Sequence, residues 1–124
     1  MNIVDSSGWL AYFADEINAE HFVEPLSSTA TLIVPAITVY EVFKVVLRES
    51  SENEALQAVV AMQKGKVIDL NTSLALAAAK LSLEHQLPMA DSIILATAQE
   101  FKATIWTQDV DFKGIGKVKY FPKQ

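Results

Sequence analysis

The chain has 124 residues, 51% of them hydrophobic and none of them cysteine, and a formal net charge of -5 at pH 7. It is read as a single domain over residues 1–124, long enough to bury a core and too short for two ordinary ones. The lack of cysteine excludes disulfide frameworks, thiol nucleophiles and cysteine-bearing zinc sites and fits a reducing cytoplasm, while the acidic balance argues against binding nucleic acid through a broad basic face.

Short β-branched runs alternate with helical patterns along the chain. Asn2-Ile3-Val4 opens as a strand, without the basic start and long apolar run of a secretory leader. No uncharged apolar run approaches the ~20 residues that cross a bilayer, so a soluble, non-membrane chain is expected. After Asp5, Trp9, Leu10 and Phe13 give a first helix its apolar face, and a second helix is expected from about Asp15 to Leu26. Thr31 to Val34 reads as a strand. Val39 to Glu49 then carries Tyr40, Phe43 and Leu47 at helical spacing, and Asn53 to Lys64 repeats the pattern with Leu56, Val59 and Val60 before Gly65 stops it.

Lys66 to Leu70 is the third strand. Asn71 or Thr72 caps a helix whose Leu74, Leu76, Ala77, Ala78, Ala79, Leu81 and Leu83 spread around its barrel, which predicts burial by the core and by another subunit. Pro88 ends that helix, and a further one begins near Asp91 with Ile94, Ala98 and Phe101 on one face. Thr104 to Thr107 and Lys117 to Phe121 close the chain as strands. The expected architecture is α/β, with three layers: a central, mostly parallel sheet of four to five strands and helices on both faces.

In open α/β sheets, ligands bind beyond the carboxyl ends of the strands. Acidic residues recur there. Asp5 follows the first strand and reads equally as an N-cap, helped by Ser6 or Ser7, and as a site carboxylate. Thr38-Val39-Tyr40-Glu41 has the form of a capping box, with Glu41 bonding back to the Thr38 amide, although Glu41 also stands close enough to the second strand to reach the same edge. Asp91 suits the first turn of its helix, and Asp109 and Asp111 suit a turn after Ile105-Trp106-Thr107.

Each acid alone is explained as a cap; their joint recurrence is not. Two like charges ~4 Å apart repel by ~4 kcal/mol at an effective dielectric constant near 20. A converging set therefore needs cations, and oxygen-only donors select Mg2+ or Mn2+ over zinc. Lys44 and Lys113 stand near Glu41 and Asp109 in sequence but read first as solvated lysines. His21 and His85 receive no catalytic role, and Trp9 and Trp106 read as packing residues.

At these residues the chain resembles the PIN-domain nucleases, and within them the VapC-type toxins of toxin-antitoxin pairs. The resemblance rests on Val4-Asp5-Ser6-Ser7, Thr38 to Glu41, Leu87-Pro88-Met89-Ala90-Asp91, and Thr107 to Phe112, and runs from Met1 to about Val118. It implies that Asp5, Glu41, Asp91 and Asp109 form a metal-binding and catalytic quartet, that Ser7 and Thr107 orient the carboxylates, that Ser6 assists, and that Asp111 is a secondary neighbour. It further implies hydrolysis of RNA phosphodiesters with Mg2+ or Mn2+, a cognate antitoxin seated in the acidic cleft through a basic side chain, and a homodimer. DNA binding falls to the antitoxin, not to this chain.

Two other classes compete with that reading. A phosphoacceptor receiver domain would want an acidic pair after the first strand and an acceptor near the third, where Asp69 is a poor candidate within Val67-Ile68-Asp69-Leu70. A catalytically silent PIN-like binding module would keep the acids for stability alone.

Overall fold

Strands and helices alternate in the expected order in the computed structural model, which describes residues 1–124: β1 (Asn2–Val4), α1 (Ser6–Phe13), α2 (Ala19–Ser27), β2 (Ile33–Pro35), α3 (Ala36–Glu49), α4 (Glu52–Met62), β3 (Lys66–Ile68), α5 (Thr72–His85), α6 (Met89–Phe101), β4 (Thr104–Thr107) and β5 (Val118–Tyr120). Short 3-10 turns occupy Thr29–Thr31 and Val110–Phe112. Helix α2 begins later than expected because Asp15 takes a left-handed backbone (φ 52°), which ends α1 and leaves a short connection before Asn18. None of the helices is long and apolar enough to cross a membrane.

Every strand pairing is parallel. One sheet has the order β1-β4-β5, with Val4 opposite Trp106 and Thr107 opposite Tyr120; a second pairs β2 with β3, Pro35 opposite Ile68. The expected sheet of four to five strands is thus divided into three strands and two, joined by an isolated bridge between Asn2 and Leu32. Strands of three or four residues leave little ladder to share, and Pro35 has no N–H to donate at the end of β2.

Side chains alternate across these strands and divide the core in two. Ile3, Ile33 and Ile105 face α5 and α6, packing with Leu74, Ala78, Ile94 and Phe112. Their neighbours Val4, Val34 and Trp106 face α1 to α4, packing with Trp9, Phe22, Val42 and Met62. Helices therefore cover both faces, as the sequence pattern predicts.

Within the chain, α5 is buried on one face only, through Leu74, Ala78 and Leu81, whereas Leu76 and Leu83 on its outer side are 63% and 86% exposed. Helix α6 is the enclosed one: every residue from Ser92 to Ala98 is buried, with Thr97 Oγ1 donating to Ile93 O at 2.8 Å so that no hydroxyl is left unpaired there. This enclosure fixes the direction in which the first turn of α6, with Asp91, emerges.

Candidate metal centre

The register of β1 against β4 builds the floor of the site. Val4 lies opposite Trp106, and the Asp5 amide donates to Trp106 O at 3.2 Å, so Asp5 and Thr107 leave the sheet side by side. Asp5 is the N-cap of α1 as well as a site carboxylate: Oδ1 accepts from the Gly8 amide at 3.1 Å. Ser7 Oγ donates to the same carboxylate, 2.8 Å from Oδ1 and 3.0 Å from Oδ2. Thr107 Oγ1 donates to Asp5 Oδ2 and accepts from the Asp109 amide, both at 2.8 Å. One hydroxyl thereby couples the first and last acids of the set.

Gly8 makes this packing feasible. A Cβ there would stand 2.5 Å from Val4 Cγ1 and 2.8 Å from the Phe22 ring, so only glycine lets α1 start this close to the sheet. Asp109 caps the following 3-10 turn by accepting from the Asp111 amide at 2.9 Å, which folds Asp111 back toward the site.

The capping box expected at Thr38 to Glu41 does not form. Pro35, with its fixed φ, leads straight from β2 into α3 at Ala36, so Thr38 and Glu41 already lie inside the helix. Thr38 Oγ1 is buried without a hydrogen-bond partner, and Glu41 instead accepts from Ser6 Oγ across the cleft. Glu41 thus belongs to the site rather than to a cap.

Asp5, Ser6, Ser7, Glu41, Asp91 and Asp109 line a single cavity of about 850 Å3. Thr107 lies buried behind Asp5, and Asp111 stands at the rim. Burial is the chief force on Asp5 and lifts its carboxyl from 3.8 to about 6, against the lowering effect of the Ser7, Thr107 and Gly8 bonds. Asp91 is lifted further, to about 8, first by burial and then by the charges of Asp109, Asp5, Asp111 and Glu41. Four other carboxylates therefore act on one acid.

The donor set fits a hard divalent ion. One oxygen from each of Asp91, Asp109 and Asp111 lies within 4.8 Å of the others. Oxygens on opposite sides of a Mg2+ ion stand about 4.2 Å apart, so small side-chain shifts suffice to enclose one. Asp111, a secondary neighbour by sequence, belongs to this group; a turn after Thr107 is legible in the sequence, whereas its 3-10 form, which brings Asp111 back, is not. Asp5 lies outside the group of three, and its oxygens accept from Ser7, Thr107 and Gly8.

Lys44 and Lys113 do not line the cavity; their ammonium groups lie over the Tyr40 and Tyr120 rings at 5.6 and 5.7 Å. The cation at its edge is Lys123, for which the sequence carried no local signal. Gln108, between Thr107 and Asp109, also lines the cavity, with no motif in the sequence to mark it. His21 stacks on Phe121 and His85 neighbours Glu84, both away from the acids, while Trp9 and Trp106 are buried packing residues. Asp69 is exposed beyond β3 and does not line the cavity, contrary to the receiver-type alternative.

The family model for the PIN domain matches residues 3–118. Among solved structures, a toxin-antitoxin complex from Klebsiella pneumoniae is similar with a TM-score of 0.83 at 23% identity, covering 98% of this chain and 99% of that one. The sarcin-ricin loop cleaving toxin VapC20 of Mycobacterium tuberculosis is similar at 0.76 and 16% identity, covering 95% and 98%. VapBC2 from Rickettsia felis, bound to a DNA fragment from its promoter, is similar at 0.74 and 15% identity, covering 99% and 98%. At these identities the likeness is one of fold. No curated protein matches the sequence.

Proposed function

The chain belongs to the PIN-domain family, and from that membership we propose that it is a divalent-metal-dependent endoribonuclease and the toxin of a type II toxin-antitoxin pair, restraining translation or growth in the cytoplasm. The observation that carries the reading is geometric: Asp5, Glu41, Asp91 and Asp109 converge on one cavity, with oxygens of Asp91, Asp109 and Asp111 within 4.8 Å of one another. A cluster that raises its own energy in this way is explained by a cation that removes the repulsion.

Asp91, Asp109 and Asp111 would hold Mg2+ or Mn2+, with Asp5 and Glu41 completing the acidic shell. Such an ion supplies Lewis-acid charge at a phosphoryl oxygen and lowers the pKa of water. The protein's own groups supply position. Gly8, Ser7 and Thr107 keep the Asp5 charge in one place. Glu41 has one oxygen held by Ser6 and the other free of protein hydrogen bonds, so it is available, as Asp91 is, to accept a proton from water. Thr107 and Ser7 are positioning residues, since each acts through a carboxylate.

Beyond the acids, Leu10, Phe13, Val45, Val46 and Ala58 add an apolar patch to the cavity wall. A carboxylate cluster beside an apolar wall suits an antitoxin segment that combines a basic side chain with apolar ones. The exposed Leu76 and Leu83 on α5 support a homodimer that covers them. Mapping the 5' ends of cellular RNA after induced expression tests the function: discrete new ends and growth arrest are expected with the wild type and neither with Asp91→Asn. New ends that persist in Asp91→Asn would refute the assignment.

A further inference from the structure

Beside the acidic cavity lies a second one of about 410 Å3, lined by Glu16, Ile17, Asn18, Gln108, Lys123 and Gln124. Glu16, Gln108 and Lys123 line both cavities, so the two adjoin. The volume lies within the range of small-molecule sites.

Its walls are a hydrogen-bonded frame. Gln108, buried at the end of β4, accepts through Oε1 from Asn18 Nδ2 at 3.0 Å, and its Nε2 donates to Ser7 O at 3.3 Å and Glu16 Oε1 at 3.4 Å. Asn18 Nδ2 also donates to Pro122 O at 3.0 Å. The segment bearing Lys123 is pinned further by the Phe121 amide on Thr107 O at 2.9 Å and by the Phe121 ring stacked on His21 at 4.4 Å. The same strand end that carries Asp109 thus shapes the second cavity.

The chemistry of the walls is uneven. Asn18 is 3% exposed, yet its Oδ1 has no hydrogen-bond partner, a costly state for a buried acceptor. Glu16 is exposed and keeps an oxygen free, and Lys123 brings an ammonium donor. Exposed Ile17 adds an apolar surface for a ring.

We infer that this cavity is a nucleobase subsite for the nucleotide next to the scissile phosphate, and that Glu16 and Lys123 make it prefer guanine. The inference rests on the nuclease reading for the position of that phosphate. Single-stranded RNA is read through the Watson–Crick edges of unstacked bases. Guanine is the RNA base whose edge combines two adjacent N–H donors with a carbonyl acceptor, which matches a carboxylate beside an ammonium.

Cleavage of a randomised RNA pool with Mg2+, read by sequencing, tests it. The wild type should enrich guanine at one position flanking the cut, and Glu16→Gln, an exposed substitution, should reduce that enrichment about tenfold. Cuts with no flanking preference, or a preference unchanged in Glu16→Gln, overturn the subsite. An independent titration with GMP, AMP, CMP and UMP, read by the NMR side-chain amide signals of Asn18 and Gln108, separates the two readings. GMP should shift those signals at lower concentration than the others even if no RNA is cut, in which case the nuclease reading fails and the cavity stands as a guanine-binding site alone. Shifts from none of the four, or equal shifts from all, overturn it.

Discussion

Stripped of divalent cations, the folded protein should become more stable as the pH falls from 8 to 5, because Asp5 and Asp91 hold their protons more tightly in the native state than in the unfolded chain. Burial lifts the Asp5 carboxyl from 3.8 to about 6, so between those values the native state keeps a proton that the unfolded chain has lost. Stability therefore declines as pH rises through that window, and the full penalty is present above it. From these two values Asp5 contributes about 1.4 kcal/mol between pH 8 and pH 5.

Asp91 extends the decline to about pH 8. Its carboxyl is only half-buried and water screens it, so its share over the same range is about 1 kcal/mol. Together they move the urea midpoint by about 1 M at the slope usual for small proteins. Saturating Mg2+ favours the ionised acids and reverses the trend, adding about 2.7 kcal/mol at a hundred times its Kd. Urea unfolding followed by the fluorescence of Trp9 and Trp106, in EDTA and in Mg2+, measures both effects. A divalent-free midpoint that rises or stays level from pH 5 to pH 8 would refute the argument, as would an Asp91→Asn variant with the wild-type response to Mg2+.

Thr107→Val removes the hydroxyl that serves both Asp5 and the Asp109 amide, and should cost about 1–3 kcal/mol in urea unfolding together with about 10–100-fold in RNA cleavage; a variant equal to wild type in cleavage would remove Thr107 from the site. Asp111→Asn should leave the fold intact and raise the Mg2+ concentration for half-maximal cleavage about tenfold, whereas an unchanged Mg2+ dependence would return Asp111 to a turn-shaping role. Gly8→Ala forces a methyl group against Val4 and Phe22 and should destabilise by about 1–3 kcal/mol, seen as a lowered melting temperature; an unchanged melt would contradict the close approach of α1 to the sheet.

The strand and helix order was legible because each β-branched run alternates its side chains between two apolar layers: Ile3 with Val4, Ile33 with Val34, Ile105 with Trp106. What was not legible depended on contacts distant in sequence. Which of the two apolar helices is enclosed turns on packing, and α6 takes the interior while Leu76 and Leu83 of α5 remain outside. The gap between the two sheets is set by Pro35 and short strands, neither of which breaks the hydrophobic pattern.

In the site, Asp5, Asp91 and Asp109 were visible as acids at strand ends and helix starts. Glu41 was visible too, but its partner was misread, because Thr38 to Glu41 satisfies a capping-box pattern that Pro35 pre-empts by starting α3 earlier. Asp111 reads only as a secondary neighbour and Lys123 carries no signal in the sequence, because their positions depend on the 3-10 turn after Asp109 and on the pinned C-terminal segment.

The central claim is that the converging acids form a divalent-cation site that cuts RNA. Its most direct test is the cleavage of single-stranded RNA by the purified, partner-free protein across a Mn2+ titration, with Asp91→Asn in parallel. No cleavage in EDTA, saturable activation by Mn2+, and a loss of at least about a hundredfold in the variant are expected. Cleavage that persists in EDTA, or an Asp91→Asn protein as active as the wild type at every Mn2+ concentration, would contradict that claim.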